Sequence, residues 1–330
     1  MAHLVQQFDE ALNNVEPIQQ DKTNAAEAHT EVRKSIENDD QLAGMGVDTI
    51  LIGSYARSVS IRRMHDVDVF SKLPDVDFGL EPAPLLDQFH RVLSQRFGQS
   101  RVKRRTRIVE VDFPEFDMSV DAVPARPAGI VWEIPDRSAG WVETNPEELG
   151  RLTHEMNGHH TLGTEGIYVP IVKLVRQIRR EHFAKHPAGV YFEVLAYWAF
   201  QDMAACSSQA EYLSRALAGM TVTLRNALTS GMKDPSLPDS NLETKADAAQ
   251  LAQTLSTLTS LSQHADMALA EEDECKSALE WRDLLGRNDD GLVFPMPAHC
   301  DEEGRRKFDF DVVAGSKRVP SGEGKFACLS

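Results

Sequence analysis

The sequence predicts an α+β protein of two lobes, with strands gathered in the first half and helices in the second. Three observations carry that reading. Short apolar, β-branched or alternating runs recur at residues 49–52, 65–70 and 116–124. From Pro170 to residue 285 the apolar positions follow helical spacing. A chain of 330 residues can bury more than one core, so the two parts read as separate lobes. The divisions are placed at residues 1–165, 166–290 and a tail, 291–330, with little core of its own.

Composition removes several classes of function. Hydrophobic residues make up 42% of the chain, and no apolar run is long enough to span a bilayer, so no membrane is expected. No basic, apolar leader precedes Leu4, which makes the cytoplasm the expected location. The formal net charge of −16 disfavours long duplex nucleic acid as an obligatory partner, because that affinity comes from Lys and Arg neutralising phosphates. The cysteines, Cys206, Cys275, Cys300 and Cys328, are dispersed without C-x-x-C spacing and do not read as a disulfide framework.

In chain order, residues 3–38 read as helix with a break near Pro17, carrying Leu4, Phe8, Leu12 and Val15 on one stripe. Residues 49–52 form a short buried strand that stops at Gly53-Ser54, where glycine permits close backbone approach and serine offers a hydroxyl. Residues 55–62 are expected to form a short helix, its N-terminal N–H groups aimed at a phosphate. Residues 65–70 return as a strand with Asp66 and Asp68 on one face. A helix at 82–97 follows, then the basic run RVKRRTR, which on a strand shows Arg101, Lys103, Arg105 and Arg107 on one face. A strand at 130–132 and a helix opening at Pro146, capped by Thr144 or Asn145, complete the first lobe. Helices are then expected at 170–184, 191–206, 211–230 and 242–285, with a loop at 235–241. His154, His159 and His160 lack metal-site spacing.

The chemistry lies in the acids. Two carboxylates at i and i+2 on a strand are roughly 6–7 Å apart at the backbone. Unit charges about 4 Å apart repel by about 4 kcal/mol at an effective dielectric near 20. Such a pair needs a cation or a proton between its members, and Mg²⁺ shared with substrate phosphates suits oxygen ligands. A third carboxylate comes from FDMSVDAVP, where Asp121 sits among Val120, Ala122 and Val123; Asp112 and Asp117 compete for the role.

Together, Gly-Ser, a short helix, D-h-D and a later Asp strand resemble the polymerase beta-type nucleotidyltransferase superfamily. GSYARSVSI and SVDAVPA are similar to motifs of the bacterial cyclic-oligonucleotide synthases, the CD-NTases. ALEWRDLLGRNDDGLVFPMP resembles the last helix and exit of one branch. The resemblance implies a two-lobed fold, with a mixed-sheet catalytic lobe braced by the N-terminal helix and a helical lobe behind it. It implies Asp66, Asp68 and Asp121 as catalytic residues holding two Mg²⁺ ions, for which Mn²⁺ is an acceptable substitute. Nucleotide binding falls to Gly53, Ser54, Arg57 and Lys173, and the substrates to ATP and other nucleoside triphosphates. The implied product is a cyclic di- or trinucleotide for anti-phage (CBASS) signalling, with a regulatory or tail-modifying protein partner. The rival is transfer of a nucleotide to tRNA or protein. The chain departs from the family pattern at Val59, where the motif has Thr, and at Gly189-Val190, where relatives place Ser and an aromatic.

Overall fold

The computed structural model describes residues 4–136 and 140–307. The N-terminal region breaks around Pro17 into α1 (Val5–Val15) and α2 (Gln19–Glu37). The break lets one segment serve two cores. Phe8, Ala11 and Val15 of α1 enter the helical core, whereas Ala25, Ala28, Val32 and Ile36 of α2 cover the sheet. A one-turn α3 (Asp40–Ala43), capped by the Asp39 carboxylate, leads into the sheet.

The sheet comprises β1 (Asp48–Ile52), then the single turn α4 (Gly53–Ala56), β2 (Asp66–Lys72), α5 (Pro82–Phe97), β3 (Val102–Arg104), β4 (Val109–Phe113), β5 (Met118–Ala128), β6 (Val131–Asp136) and β7 (Gly140–Thr144). Its order is β1-β2-β5-β4-β3, with β6 and β7 continuing from the far end of β5. Only β2 and β5 pair in parallel, so the sheet is mixed. Alternation sorts its faces. Val67, Val69, Val109, Val111, Val120 and Ala122 are fully buried with residues of α2 and α5. The opposite face carries Asp66, Asp68, Glu110 and Asp121, then the small cluster of Phe70, Val123 and Ala125.

The second half is helical: α6 (Pro146–His159, capped by Asn145), the hairpin β8 (Thr161–Leu162) and β9 (Glu165–Gly166), α7 (Tyr168–His182), α8 (Gly189–Gln201) and α9 (Gln209–Ser230). The hairpin β10 (Lys233–Asp234) and β11 (Leu237–Asn241), α10 (Ala248–Ala270), α11 (Glu274–Leu285) and the hairpin β12 (Arg287–Asn288) and β13 (Gly291–Leu292) complete it. Among the described residues no helix is long and apolar enough to cross a membrane.

Several expectations are corrected. The helix expected at 55–62 is one turn, because Ser58 adopts φ 60° and the chain turns away. The helix expected at 242–285 is two. Asp273 accepts from the N–H groups of Cys275 and Lys276 and starts α11 afresh, while Asp247 and Gln250 form a capping box at α10. The loop at 235–241 contains β11, paired with β10. The tail expected from residue 291 starts too early. Val293 and Phe294 are fully buried, with the Phe294 ring 5.0 Å from that of Phe8. Residues 308–330, where a tail-modifying partner is expected to act, lie outside the described residues. Finally, Cys275 and Cys300 are joined as a disulfide. Residues 297–307 fold back over the start of α11, and no spacing rule reports that return.

Candidate active site

The parallel pairing of β2 with β5 builds the site. It sets Asp68 directly opposite Asp121, and Asp66 opposite Ser119. On its other side Asp121 faces Glu110 of β4. Of the competing acids, Asp112 lies opposite Ser119 and Asp117 sits in the β4–β5 turn at φ 53°. Register puts Glu110 and Asp112 on the same face, but Glu110 is paired with Lys103 and Arg105 and Asp112 lies two strands from Asp66, so Asp66, Asp68 and Asp121 form the acidic group on β2 and β5.

In this patch burial and mutual repulsion outweigh the nearby arginines. Burial, followed by the neighbouring Asp66, pushes the Asp68 carboxyl up to about 6, against the pull of Arg57. Burial, then Asp68 and Asp66, push Asp121 up to about 7, and its Oδ1 is buried without a hydrogen-bond partner. Gly53 stands directly above. Its φ is +72°, and a Cβ there would overlap Asp68 Oδ2. Glycine is thus required twice, by the left-handed backbone and by the carboxylate it faces.

A pocket of about 190 Å³ opens beside Asp66, lined by Ser54, Ser60, Arg176, Arg179, Arg180 and Gly189 among others. Ser54 Oγ and Ser60 Oγ are 3.1 Å apart. Ser60 brings its hydroxyl to the pocket, whereas the preceding Val59 is buried in the core. Burial lowers the affinity of Arg179 and Arg180 for their protons, and the neighbouring Arg176 lowers it further. Arg176 Nε and Arg179 Nε have no hydrogen-bond partner. Arg176 also pairs with Glu193, Arg179 donates to the carbonyls of Ala184, Lys185 and Pro187, and Arg180 donates to Arg62 O. The three guanidinium groups are thus held in place as one positive wall of the pocket, a surface suited to a polyanion.

Two expected binding residues sit elsewhere. Lys173 does not line this pocket; its ammonium pairs with Glu16, which also holds Lys22 at 3.3 Å. Arg57 is turned into the protein, where it bonds Glu193 at 2.7 Å, and Glu193 also pairs with Arg176. Burial alone would raise the Glu193 carboxyl; Arg57 and then Arg176 overcome it and lower its pKa. Glu193→Gln is expected to cost about 3 kcal/mol, since two guanidinium groups lose their shared counter-charge. Urea denaturation checks this as a fall in midpoint at unchanged m. The basic run is also neutralised locally. Arg101 pairs with Glu115, Lys103 and Arg105 with Glu110, and Arg107 with Asp136 and Glu243.

The signal for the arginine pocket is present in the sequence. Arg176, Arg179 and Arg180 stand at i, i+3 and i+4, so one face of α7 carries all three. Lys173, the residue expected from the resemblance, stands one turn earlier on α7.

Residues 1–157 match the family described as Second Messenger Oligonucleotide or Dinucleotide Synthetase domain, SMODS. The chain is 26% identical over 301 residues to the cyclic AMP-AMP-AMP synthase of Acinetobacter sp., covering 85% of this chain and 84% of that one. It is 22% identical to the cyclic AMP-AMP-GMP synthase of Enterobacter hormaechei, over 97% and 99% of the two chains. The fold matches that of CdnC in the E. coli MS115-1 CdnC:HORMA-deltaN complex, with a TM-score of 0.69 and 17% identity, covering 89% of this chain and 99% of that one. With the acids on a mixed sheet, the arginine pocket beside them and the helical lobe behind, the chain carries a SMODS domain over residues 1–157 and is similar in sequence and fold to the bacterial CD-NTases, cyclic-oligonucleotide synthases with a polymerase beta-type fold.

Proposed function

We propose that this synthase uses Mg²⁺ to join nucleoside triphosphates, ATP among them, into a cyclic di- or trinucleotide that serves as a second messenger in anti-phage (CBASS) defence. The observation that carries this reading is the convergence of Asp66, Asp68 and Asp121 beneath Gly53, beside a pocket of three arginines. That both extensive relatives are named as cyclic trinucleotide synthases favours a ring of three. A regulatory protein partner is part of the proposal, supported by the HORMA complex of the structurally similar CdnC.

The acids fit a hard divalent cation. The donors are carboxylate oxygens, one of them buried without a partner, and two of the acids hold protons more tightly than is ordinary because burial, and then the neighbouring acids, disfavour their charge. When bound, Mg²⁺ supplies charge neutralisation at the triphosphate and makes the acceptor hydroxyl more acidic. The chain's own residues do the remainder. Arg176, Arg179 and Arg180 receive the donor triphosphate, with the Ser54 and Ser60 hydroxyls at its edge. The lack of a Cβ at Gly53 keeps the approach to Asp68 open. Asp121, with a pKa near neutrality, accepts the proton from the attacking ribose hydroxyl. Pyrophosphate leaves towards the arginines. The linear intermediate then turns in the cleft, so that its own triphosphate occupies the arginine pocket and the ring closes.

Incubation of the full chain with the four nucleoside triphosphates and Mg²⁺, without any macromolecule, tests this. Mass spectrometry is expected to find a small, phosphatase-resistant cyclic product. Arg179→Ala should lower its rate more than Lys173→Ala does, by about tenfold or more. If label appears only on added tRNA or protein, the chain is a nucleotide-transferring toxin instead.

A further inference from the structure

Away from the cleft, α11 and the segment that follows β13 bring together donors of a different kind. Cys275, in the first turn of α11, and Cys300 are bonded, with their Cα atoms 5.4 Å apart. The two sulfurs and a ring nitrogen of His299 all lie within 4.8 Å of one another. Glu274 holds His299 Nε2 at 3.3 Å. Both cysteines are buried, while a third of the His299 side chain is exposed. The surrounding loop is tied to itself: Cys300 N donates to Pro297 O at 2.8 Å, Asp301 N to Arg305 O at 2.8 Å and Lys307 N to His299 O at 2.9 Å.

We propose that Cys275, Cys300 and His299 form a zinc-class divalent-metal site whenever the two cysteines are thiols, and that the disulfide is the oxidised alternative of the same cluster. Thiolate and imidazole are the donors zinc prefers. Bond lengths of about 2.3 Å to sulfur and 2.0–2.1 Å to nitrogen in a tetrahedron put donors roughly 3.5–3.8 Å apart, inside the spacing here. A plain disulfide staple has no use for an imidazole beside it, still less one held by a carboxylate. A carboxylate on one ring nitrogen, with the metal on the other, fixes a metal-bound histidine and raises its basicity, and Glu274 stands beside Nε2 to do so with Nδ1 as the ligand. Cys275 stands at a helix N-terminus, where the backbone field favours thiolate. The fourth position is left to water.

Loading the oxidised cluster requires reduction. A dithiol donates two electrons and two protons to the S–S bond, giving two thiols and leaving itself as a disulfide. The metal then displaces the thiol protons and binds two thiolates. Either state ties residues 297–307 to α11, where Gly304 packs on Leu279 and Arg282 pairs with Glu302.

The test uses the full chain, reduced with a phosphine, stripped of metal and titrated with Co²⁺ alone. The expected result is one thiolate-bound equivalent per chain, seen as sulfur-to-cobalt charge transfer with the visible bands of a tetrahedral site, and displaced by Zn²⁺. The carboxylates of the cleft give no such charge transfer. Glu274→Gln should weaken binding about tenfold. His299→Ala, at a partly exposed position that folding tolerates, should weaken it further, and Cys300→Ser should abolish the band. A reduced, folded chain without thiolate charge transfer overturns the site, as does unchanged Co²⁺ affinity in His299→Ala.

Discussion

Asp68→Asn is expected to make no detectable cyclic product, a loss of about 10³-fold or more, while its metal-free form becomes more stable above pH 7. The two effects share one cause. Asp68 lies opposite Asp121 in the strand register, beneath a glycine that admits no side chain. Its charge is of use only to a cation or to chemistry, because burial and the adjacent acid make ionisation unfavourable in their absence. Removing the charge relieves the metal-free protein and disables the enzyme. Product analysis from the four nucleotides with Mg²⁺, together with thermal melting at pH 8, reads both. A variant that loses activity and stability together would assign Asp68 to the framework instead.

The stability of the metal-free protein is expected to fall as pH rises from about 4 to about 7, and Mg²⁺ should restore it most strongly at the alkaline end. The sign follows from proton linkage. Asp68 and Asp121 have folded-state pKa values of about 6 and about 7, above those of an unfolded carboxylate, so the folded chain binds more protons than the unfolded chain in this window. Their stabilising contribution is complete below the unfolded pKa and is lost as pH passes the folded values. Each pKa unit corresponds to about 1.4 kcal/mol, so the combined effect is on the order of a few kcal/mol. For a chain of this size, that is several degrees in Tm, at roughly 2 °C per kcal/mol. Other carboxylates titrate as well, so the measurement is the difference in Tm between wild type and Asp121→Asn across pH 5–8. A flat difference would show that Asp121 carries no excess proton affinity. Mg²⁺ should raise the wild-type Tm more at pH 8 than at pH 5, since protons compete for the same oxygens.

Much of the site is legible in the chain because it is local. Gly53-Ser54 at the end of a buried strand, and Asp66 and Asp68 at a spacing of two, are consequences of backbone geometry that a sequence displays directly. Asp121 is legible for another reason, its place inside an apolar strand. The arginine pocket was half legible: the correct face of α7 stands out, but which turn of it reaches the cleft depends on how α7 crosses α1. Glu16 reaches Lys173 from the end of α1 and pairs with its ammonium. In the same way, Arg57, expected from the resemblance to bind nucleotide, is drawn inward by Glu193, a partner 136 residues away.

By itself, the amino-acid sequence determined the fold class, the strands that carry the acids, the glycine turn and most of the long helices, because period-two and period-3.6 patterns are written in nearest neighbours. Tertiary structure decided which charges are spent within the protein and which remain for a ligand. It placed Glu193 between two arginines, Glu16 on Lys173 and Cys300 on Cys275. Each of these pairings joins distant points of the chain, and burial of the surrounding apolar surface brings them together without leaving a local trace.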